Sequence, residues 1–153
     1  MMSSDALALG ERLHRRTVAE PSAVGELRRE LAQYATGVGA GPATRDAVKL
    51  ASSEALTNVV VHAYVGREPG TMSVEAWTDD NGGLLVLVCD EGVGMVPRPD
   101  SPGLGVGLSI MAQMADEVRV AGPEEGSGTT VSMRFSLDGS GTTLAGGGAQ
   151  VVS

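Results

Sequence analysis

The sequence is short of cysteine, aromatic residues and positive charge, and each shortage limits the kind of core, site or partner that the protein can have. Cys89 is the one cysteine among 153 residues, which excludes an internal disulfide and a cluster of cysteine metal ligands. Only four residues are aromatic, so a core would consist of Ala, Val, Leu, Ile and Met side chains. The net charge of −8 argues against nonspecific binding to nucleic acid or to anionic lipid.

Long apolar runs are missing as well. No stretch approaches the roughly 20 residues of a membrane-spanning helix, and the chain does not open with the apolar segment of a signal peptide. With 42% hydrophobic and 20% charged residues, the composition is typical of a globular domain with a real core. We therefore expect a cytoplasmic domain that has neither a membrane nor nucleic acid as a direct partner.

The order of helix and strand patterns predicts one folded domain between two unstructured ends. Residues 1–12 are expected to form a flexible arm, residues 13–138 the domain, and the Gly-rich residues 139–153 a disordered tail. The pattern is not a repeating βαβ, so it predicts a two-layer α/β sandwich with a mixed or antiparallel sheet and helices on one face. The apolar strand at 84–89 is expected to be central and covered on both faces.

Three polar residues interrupt the otherwise apolar helix predicted over 43–64. Glu54, Asn58 and His62 follow one another at intervals of four residues. At about 100° per residue they fall within a wedge of roughly 80°, beside alanines and outside the core stripe. A solvated helix edge is the alternative interpretation, but three polar residues in register favour a functional sector.

A carboxylate marks the end of the apolar strand. Asp90 precedes Gly92 and Gly94 in "CDEGVGM", so the backbone is open to close approach. Its carboxylate could accept a hydrogen bond from an exocyclic amine such as that of adenine. An ordinary turn between a strand and a loop explains the same residues.

The stretch "GLGVGL" at 103–108 places glycines on alternate positions directly before a helical pattern. Free backbone N–H groups and the positive end of a helix converge at such a place, which is typical of phosphate binding. The stretch is neither a P-loop, because no Gly-Lys-Ser/Thr follows, nor the dinucleotide fingerprint, because the glycine spacing differs. A flexible connector is the alternative. At 128–130, "GTT" adds hydroxyl groups at the start of a strand.

Together these stretches predict a site for a magnesium nucleotide. Asn58 offers a neutral oxygen to Mg²⁺, which favours oxygen ligands and keeps several waters. Glu54, one helical turn away, could orient or deprotonate a hydroxyl or a water that attacks the γ-phosphate.

Four motifs resemble, in order, those of the GHKL (Bergerat-fold) ATPases. They are "EALTNVVVHAY" for the N box, "DEGVGM" and "GVGLSIM" for the two glycine boxes, and "GTTV" for the closing motif. The first motif, with "SIMAQMADEV", is most similar to the small anti-sigma factor serine kinases of bacteria, the RsbW and SpoIIAB type. The resemblance covers about residues 13–137 and implies a Bergerat sandwich that holds ATP between helices and sheet.

The resemblance implies a role for each matching residue. Asn58 would bind Mg²⁺, Glu54 would be the catalytic base, and Asp90 would contact adenine. His62 would lie near the phosphates, and a histidine packed in the core is the alternative. The other nucleotide-binding residues would be Gly92, Gly94, Met95, Gly105, Val106, Gly107, Leu108 and, at the adenine end, Thr130.

The activity that the resemblance implies is that of an ATP-dependent anti-sigma factor and protein serine/threonine kinase. It would phosphorylate an anti-anti-sigma (STAS) partner, sequester a sigma factor and form a homodimer. The sequence departs from the family pattern before the second glycine box, where relatives often carry a basic residue and this chain has Gly103 and Leu104. A non-catalytic nucleotide-binding module of the same fold is therefore the alternative function.

Overall fold

The computed structural model describes residues 11–64, 66, 68–92, 104–122, 128–137 and 151–152. The helices are α1 (Pro21–Gly37), α2 (Pro42–Asn58) and α3 (Leu104–Met114). The strands are β1 (Leu13–Val18), β2 (Thr71–Thr78), β3 (Gly83–Asp90), β4 (Glu117–Ala121), β5 (Thr129–Ser136) and β6 (Val151–Val152). None of the helices within these ranges combines the length and the apolar character that crossing a bilayer requires.

The strands form one sheet in the order β1-β2-β3-β5-β4-β6. The pairs from β1 to β4 are all antiparallel, and β6 is parallel to β4. The helices pack against one face of this sheet, with α2 between α1 and α3 and above β3 and β5. The predicted two-layer α/β sandwich is confirmed.

The two faces of the sheet differ in burial. Alternate residues of the central strands are buried beneath the helices, namely Val74, Ala76, Leu84, Val86, Val88, Val131 and Met133. On the other face, Leu85, Leu87 and Cys89 of β3 are only half-buried. The prediction that this strand is covered on both faces was wrong, because α1, α2 and α3 all lie on the same side.

Both long helices begin at a proline. Pro21 and Pro42 occupy the first helical positions, where a missing N–H costs nothing because the first N–H groups have no partner within the helix. The residues before them, Glu20 and Gly41, are extended, as the residue before a proline tends to be. α2 therefore starts at a fixed point, and its buried face is then set by helical periodicity.

The second helix does not continue as an α-helix to Tyr64. α2 ends at Asn58, and Val59–Ala63 form a π-helical turn with the wider i→i+5 hydrogen bonding. Three successive valines open this turn, and β-branched side chains crowd the preceding turn of an α-helix. The spacing of 100° per residue therefore holds from Glu54 to Asn58 but not on to His62.

Asp79 fixes the turn between β2 and β3. Its Oδ1 atom accepts the N–H groups of Asn81 and Gly83, each at 2.8 Å, and its Oδ2 atom accepts Nε–H of Arg134 at 3.0 Å. A Cβ atom at Gly83 would lie 2.4 Å from the guanidinium carbon of Arg134. A glycine at this position therefore leaves room for the ion pair that joins the turn to β5.

We expect Arg134→Met to lower the Tm at neutral pH and to flatten the acid side of the stability profile. The hydrogen bond from Arg134 is the main cause that lowers the pKa of Asp79, with the Gly83 N–H second. A lowered carboxyl pKa contributes stability above its unfolded-state value, and the contribution is lost as pH falls through the folded-state value. Thermal unfolding from about pH 3 to 7 measures this. Arg119→Met, which breaks the more exposed pair with Glu117, is the control, and an unchanged profile in Arg134→Met would contradict the prediction.

The chain end contributes a short strand. Val151 and Val152 pair with Val118 and Arg119 of β4. These two residues differ from the expected disordered tail: they pair with the edge of β4 that β5 does not cover, and valine favours strands. The rest of the predicted tail, and residues 1–10 of the predicted arm, lie outside the described residues.

Candidate functional site

The candidate site lies where α2, α3 and the end of β3 meet. α2 carries Glu54 and Asn58 one turn apart, and α3 passes directly beside them at Gly107. A Cβ atom at Gly107 would lie 3.2 Å from Asn58 Nδ2 and 3.3 Å from Glu54 Oε1. The structure thus brings together three of the predicted site residues from two separate motifs.

The side chains of Glu54 and Asn58 are not used by the fold. Asn58 is 7% exposed and Glu54 is half-buried. Within the described ranges, neither side chain forms a hydrogen bond or an ion pair. Because buried amides are usually hydrogen-bonded, an amide left free beside a carboxylate is typical of a ligand site.

We expect Gly107→Ala to weaken ATP binding about tenfold without destabilising the fold. The added methyl group would press on the ends of two flexible side chains, Asn58 and Glu54, while alanine favours a helix over glycine by about 0.5–1 kcal/mol. Gly25→Ala is the matched control, since that glycine also lies in a helix and its nearest neighbouring atom would be Arg28 Nη2 at 3.5 Å. Nucleotide titration and thermal unfolding of both variants measure the effects, and wild-type affinity in Gly107→Ala would contradict the prediction.

Asp90, the last residue of β3, has one carboxylate oxygen without a donor. The residue is 6% exposed, and its Oδ1 atom accepts the Gly92 N–H at 2.8 Å. Its Oδ2 atom is buried and has no hydrogen-bond partner among the described residues. Burial raises the pKa of Asp90, and the backbone N–H groups of Gly92 and Thr129 oppose this effect. A buried oxygen of this kind fits a ligand that brings its own N–H group.

Two glycines hold the Asp90 loop against its neighbours. A Cβ atom at Gly92 would lie 2.0 Å from the carbonyl oxygen of Ala63, which belongs to the π-helical turn. At Gly128, where φ is +119°, a Cβ atom would lie 2.6 Å from the carbonyl oxygen of Asp90. Neither position accepts a side chain unless the backbone moves. The glycines therefore allow the Asp90 loop to pack closely against the π-helical turn and against the residue that precedes β5.

The pairing register of β5 places Thr129, and not the predicted Thr130, opposite Asp90. Thr129 pairs with Asp90 and is 3% exposed on the helix-covered face, whereas Thr130 pairs with Cys89 on the open face. The Thr130 hydroxyl lies 3.6 Å from Cys89 Sγ. Thr129, which sequence reasoning missed, is thus the threonine on the side of Asp90. The signal was available in the alternation of apolar residues Val131, Met133 and Phe135, which share a face with Thr129.

Another group of predicted residues consists of His62, Leu108, Gly94 and Met95. His62 is half-buried in the π-helical turn and forms no hydrogen bond or ion pair with any residue in the described part of the chain. Leu108 belongs to the buried core. Gly94 and Met95 lie outside the described residues.

The glycine stretch expected to precede a helix is itself helical. Gly105, Val106 and Gly107 lie in the first turn of α3, which begins at Leu104. This differs from the expected loop, but the backbone N–H groups at the start of a helix, which can bind an anion, are still present. The first four N–H groups of an α-helix have no acceptor within the helix, so the backbone N–H groups of residues 104–107 are not used by α3 itself.

Comparison with known proteins defines the class. Residues 17–135 match the family described as "Histidine kinase-like ATPase domain". The chain therefore belongs to the histidine kinase-like ATPase family.

Two relatives indicate which members of this ATPase family the chain is similar to. The chain is 33% identical over 130 residues to "Serine-protein kinase RsbW" of Bacillus licheniformis, which covers 75% of this chain and 79% of the relative. It is 34% identical over 101 residues to "Anti-sigma F factor" of Clostridium novyi (strain NT), which covers 59% of this chain and 69% of the relative. The predicted resemblance to the anti-sigma factor serine kinases is confirmed, and the family together with its relative named a serine-protein kinase supports the predicted ATP-dependent kinase activity.

A solved structure agrees with the fold. The chain resembles a crystal structure of the RsbU and RsbW domains of a Mycobacterium tuberculosis protein with a TM-score of 0.67 at 23% identity. The match covers 83% of this chain and 32% of the longer one. At this identity the likeness supports the architecture alone.

Proposed function

We propose that the chain binds Mg·ATP between α2, α3 and the end of β3, and transfers the γ-phosphate to a serine or threonine hydroxyl of an anti-anti-sigma (STAS) protein. The buried, unpaired Oδ2 atom of Asp90 is the observation that carries the proposal. The proposed role includes sequestration of a sigma factor by a cytoplasmic homodimer. The names of the relatives, anti-sigma F factor and serine-protein kinase, support these partners.

The adenine end of the proposed site is formed by Asp90 and Thr129. The exocyclic amine of adenine is a hydrogen-bond donor, so it would satisfy the Asp90 Oδ2 atom. The Thr129 hydroxyl lies on the same face of the sheet, one strand away. Binding of this amine would remove the cost of an unpaired buried acceptor, and a purine without a donor at that position would not.

The phosphate end is formed by α2 and the first turn of α3. Asn58 would hold Mg²⁺ through its side-chain oxygen, and the ion would neutralise charge on the phosphates. No cluster of three or more His, Cys, Asp or Glu side chains that could hold a metal occurs in the described ranges. Such a cluster is not needed, because Mg²⁺ in nucleotide sites takes one or two protein ligands together with phosphate oxygens and water.

Glu54 is the proposed base for the attacking hydroxyl. Its Oε1 atom lies beside Gly107 in the first turn of α3, and the residue is half-buried. In the proposed reaction the partner's hydroxyl oxygen bonds to the γ-phosphorus, the bond to ADP breaks, and Glu54 accepts the hydroxyl proton.

The direct test incubates the full chain with labelled ATP, Mg²⁺ and a purified STAS protein. Label in a serine or threonine of the STAS protein, dependent on Mg²⁺, is the expected result. ATP binding without transfer would instead favour the non-catalytic nucleotide-binding module, for which the residues at 103 and 104 give a reason because neither is basic. Sigma-factor capture, measured separately by co-purification with and without ATP, tests the sequestration role.

A further inference from the structure

One tyrosine hydroxyl joins three segments of the chain behind the Asp90 carboxylate. Tyr64 follows the π-helical turn and is 9% exposed. Its hydroxyl donates to the carbonyl oxygen of Thr71 at 2.6 Å and accepts the N–H of Glu91 at 2.9 Å. The end of the helical segment is thereby tied to the start of β2 and to the residue that follows Asp90.

These contacts determine how the Asp90 carboxylate is held. Two successive backbone N–H groups are bound, that of Glu91 by the Tyr64 hydroxyl and that of Gly92 by Asp90 Oδ1. The strand that Tyr64 holds at Thr71 also pairs with Asp90, through Met72. Asp90 is therefore restrained from both neighbouring strands and from its own loop, and its Oδ2 atom is the one oxygen left without a donor among the described residues.

Gly70 makes room for the tyrosine ring. A Cβ atom at Gly70 would lie 2.5 Å from Tyr64 Cε1 and 2.8 Å from the Tyr64 hydroxyl oxygen. The ring thus lies directly on the backbone of residue 70. Any side chain there would displace the hydroxyl from Thr71 and Glu91, and this gives a second way to disturb the contact without removing the hydroxyl group.

We propose that Tyr64 is a positioning residue that sets the base selectivity of the site, favouring adenine over guanine. Adenine presents an amine donor where guanine presents a carbonyl acceptor. A fixed carboxylate oxygen accepts from the first and repels the second, and sites built around such hydrogen bonds discriminate strongly. If the loop moves, Oδ2 can turn away or meet water, and the discrimination falls. The inference rests on the proposed nucleotide site.

Tyr64→Phe tests the proposal because it removes the hydroxyl and keeps the ring. We expect the preference for ATP over GTP to fall about tenfold, as for the loss of one hydrogen bond to a charged group. The affinity for inorganic tripolyphosphate, which has no base, should stay within about twofold of wild type. Tyr34→Phe is the matched control, because the Tyr34 hydroxyl also donates to a backbone carbonyl, that of Glu11 at 2.5 Å. That variant should lower the Tm and leave the ATP-to-GTP ratio unchanged.

The outcomes separate this inference from the proposed function. A wild-type chain that binds no ATP would refute the nucleotide site and the inference with it. A wild-type chain that prefers ATP, with an equal preference in Tyr64→Phe, would refute the inference alone. An equal loss for ATP, GTP and tripolyphosphate would show a purely structural role and would also overturn it. Should Tyr64→Phe fail to fold, Gly70→Ala, which keeps the hydroxyl and displaces the ring, must show the same loss of selectivity.

Discussion

Glu54→Gln should lower phosphate transfer to the STAS partner by at least about 100-fold, the usual contribution of a general base. Glutamine has the shape of glutamate but cannot accept a proton at neutral pH. The substitution should leave the stability of the fold unchanged, because Glu54 forms no hydrogen bond or ion pair with the rest of the described chain. ATP affinity should therefore stay within about threefold of wild type.

Transfer of label from ATP and equilibrium titration of ATP measure the two quantities on the same preparation. Glu117→Gln in β4 is the control, since it makes the same chemical change in an exposed pair with Arg119. Undiminished transfer by Glu54→Gln would exclude Glu54 as the base. A loss of ATP binding as large as the loss of transfer would show that Glu54 acts in binding, and it would contradict the catalytic role.

Asp90→Asn should weaken ATP binding about 10- to 100-fold, as expected for a lost hydrogen bond to a charged group. Asparagine can still accept the Gly92 N–H through its oxygen, but it then presents an NH₂ group where Oδ2 stood. That donor would face the amine donor of adenine. The loss should therefore be larger for ATP than for tripolyphosphate.

The same substitution should raise the Tm of the free protein at neutral pH. Burial raises the pKa of Asp90, so the folded state binds a proton more readily than the unfolded state. A raised carboxyl pKa gives stability that is fully present below the unfolded-state value and is lost as pH rises through the folded-state value. Asparagine removes this loss, so the difference in Tm between variant and wild type should grow from acid to neutral pH.

Thermal unfolding without nucleotide, followed across this pH range, and a second series with ATP test both halves of the prediction. Wild type should be stabilised by ATP through mass action, and at the same ATP concentration the variant should be stabilised less. A variant that is less stable than wild type when free would contradict the interpretation of Asp90 as a buried charge held ready for a ligand.

Periodicity predicted the part of the site that lies on regular structure. Glu54 and Asn58 share a face because α2 is α-helical across both residues. Their contact with Gly107 depends on tertiary packing, yet the order of the motifs along the chain indicated it. The fold class followed from the same patterns, since alternating apolar residues and helical stripes report directly on which face is buried.

The residues that were missed or misplaced depend on geometry that periodicity does not contain. His62 left the predicted register because the helix widens at Val59–Ala63. Thr129, and not the predicted Thr130, shares a face with Asp90 because side chains alternate between the two faces along β5. Tyr64 contacts Glu91 across 27 positions of sequence, and no local pattern reports a hydrogen bond of that range.

The helical segment from Glu54 to Tyr64 carries groups for both ends of the proposed nucleotide site. Glu54 and Asn58 serve the phosphate end, whereas Ala63 and Tyr64 brace the loop of Asp90 through Gly92 and Glu91. The segment is one continuous helical run, α-helical to Asn58 and π-helical over Val59–Ala63. A tilt of this segment would therefore shift the triphosphate geometry and the fit of the base together.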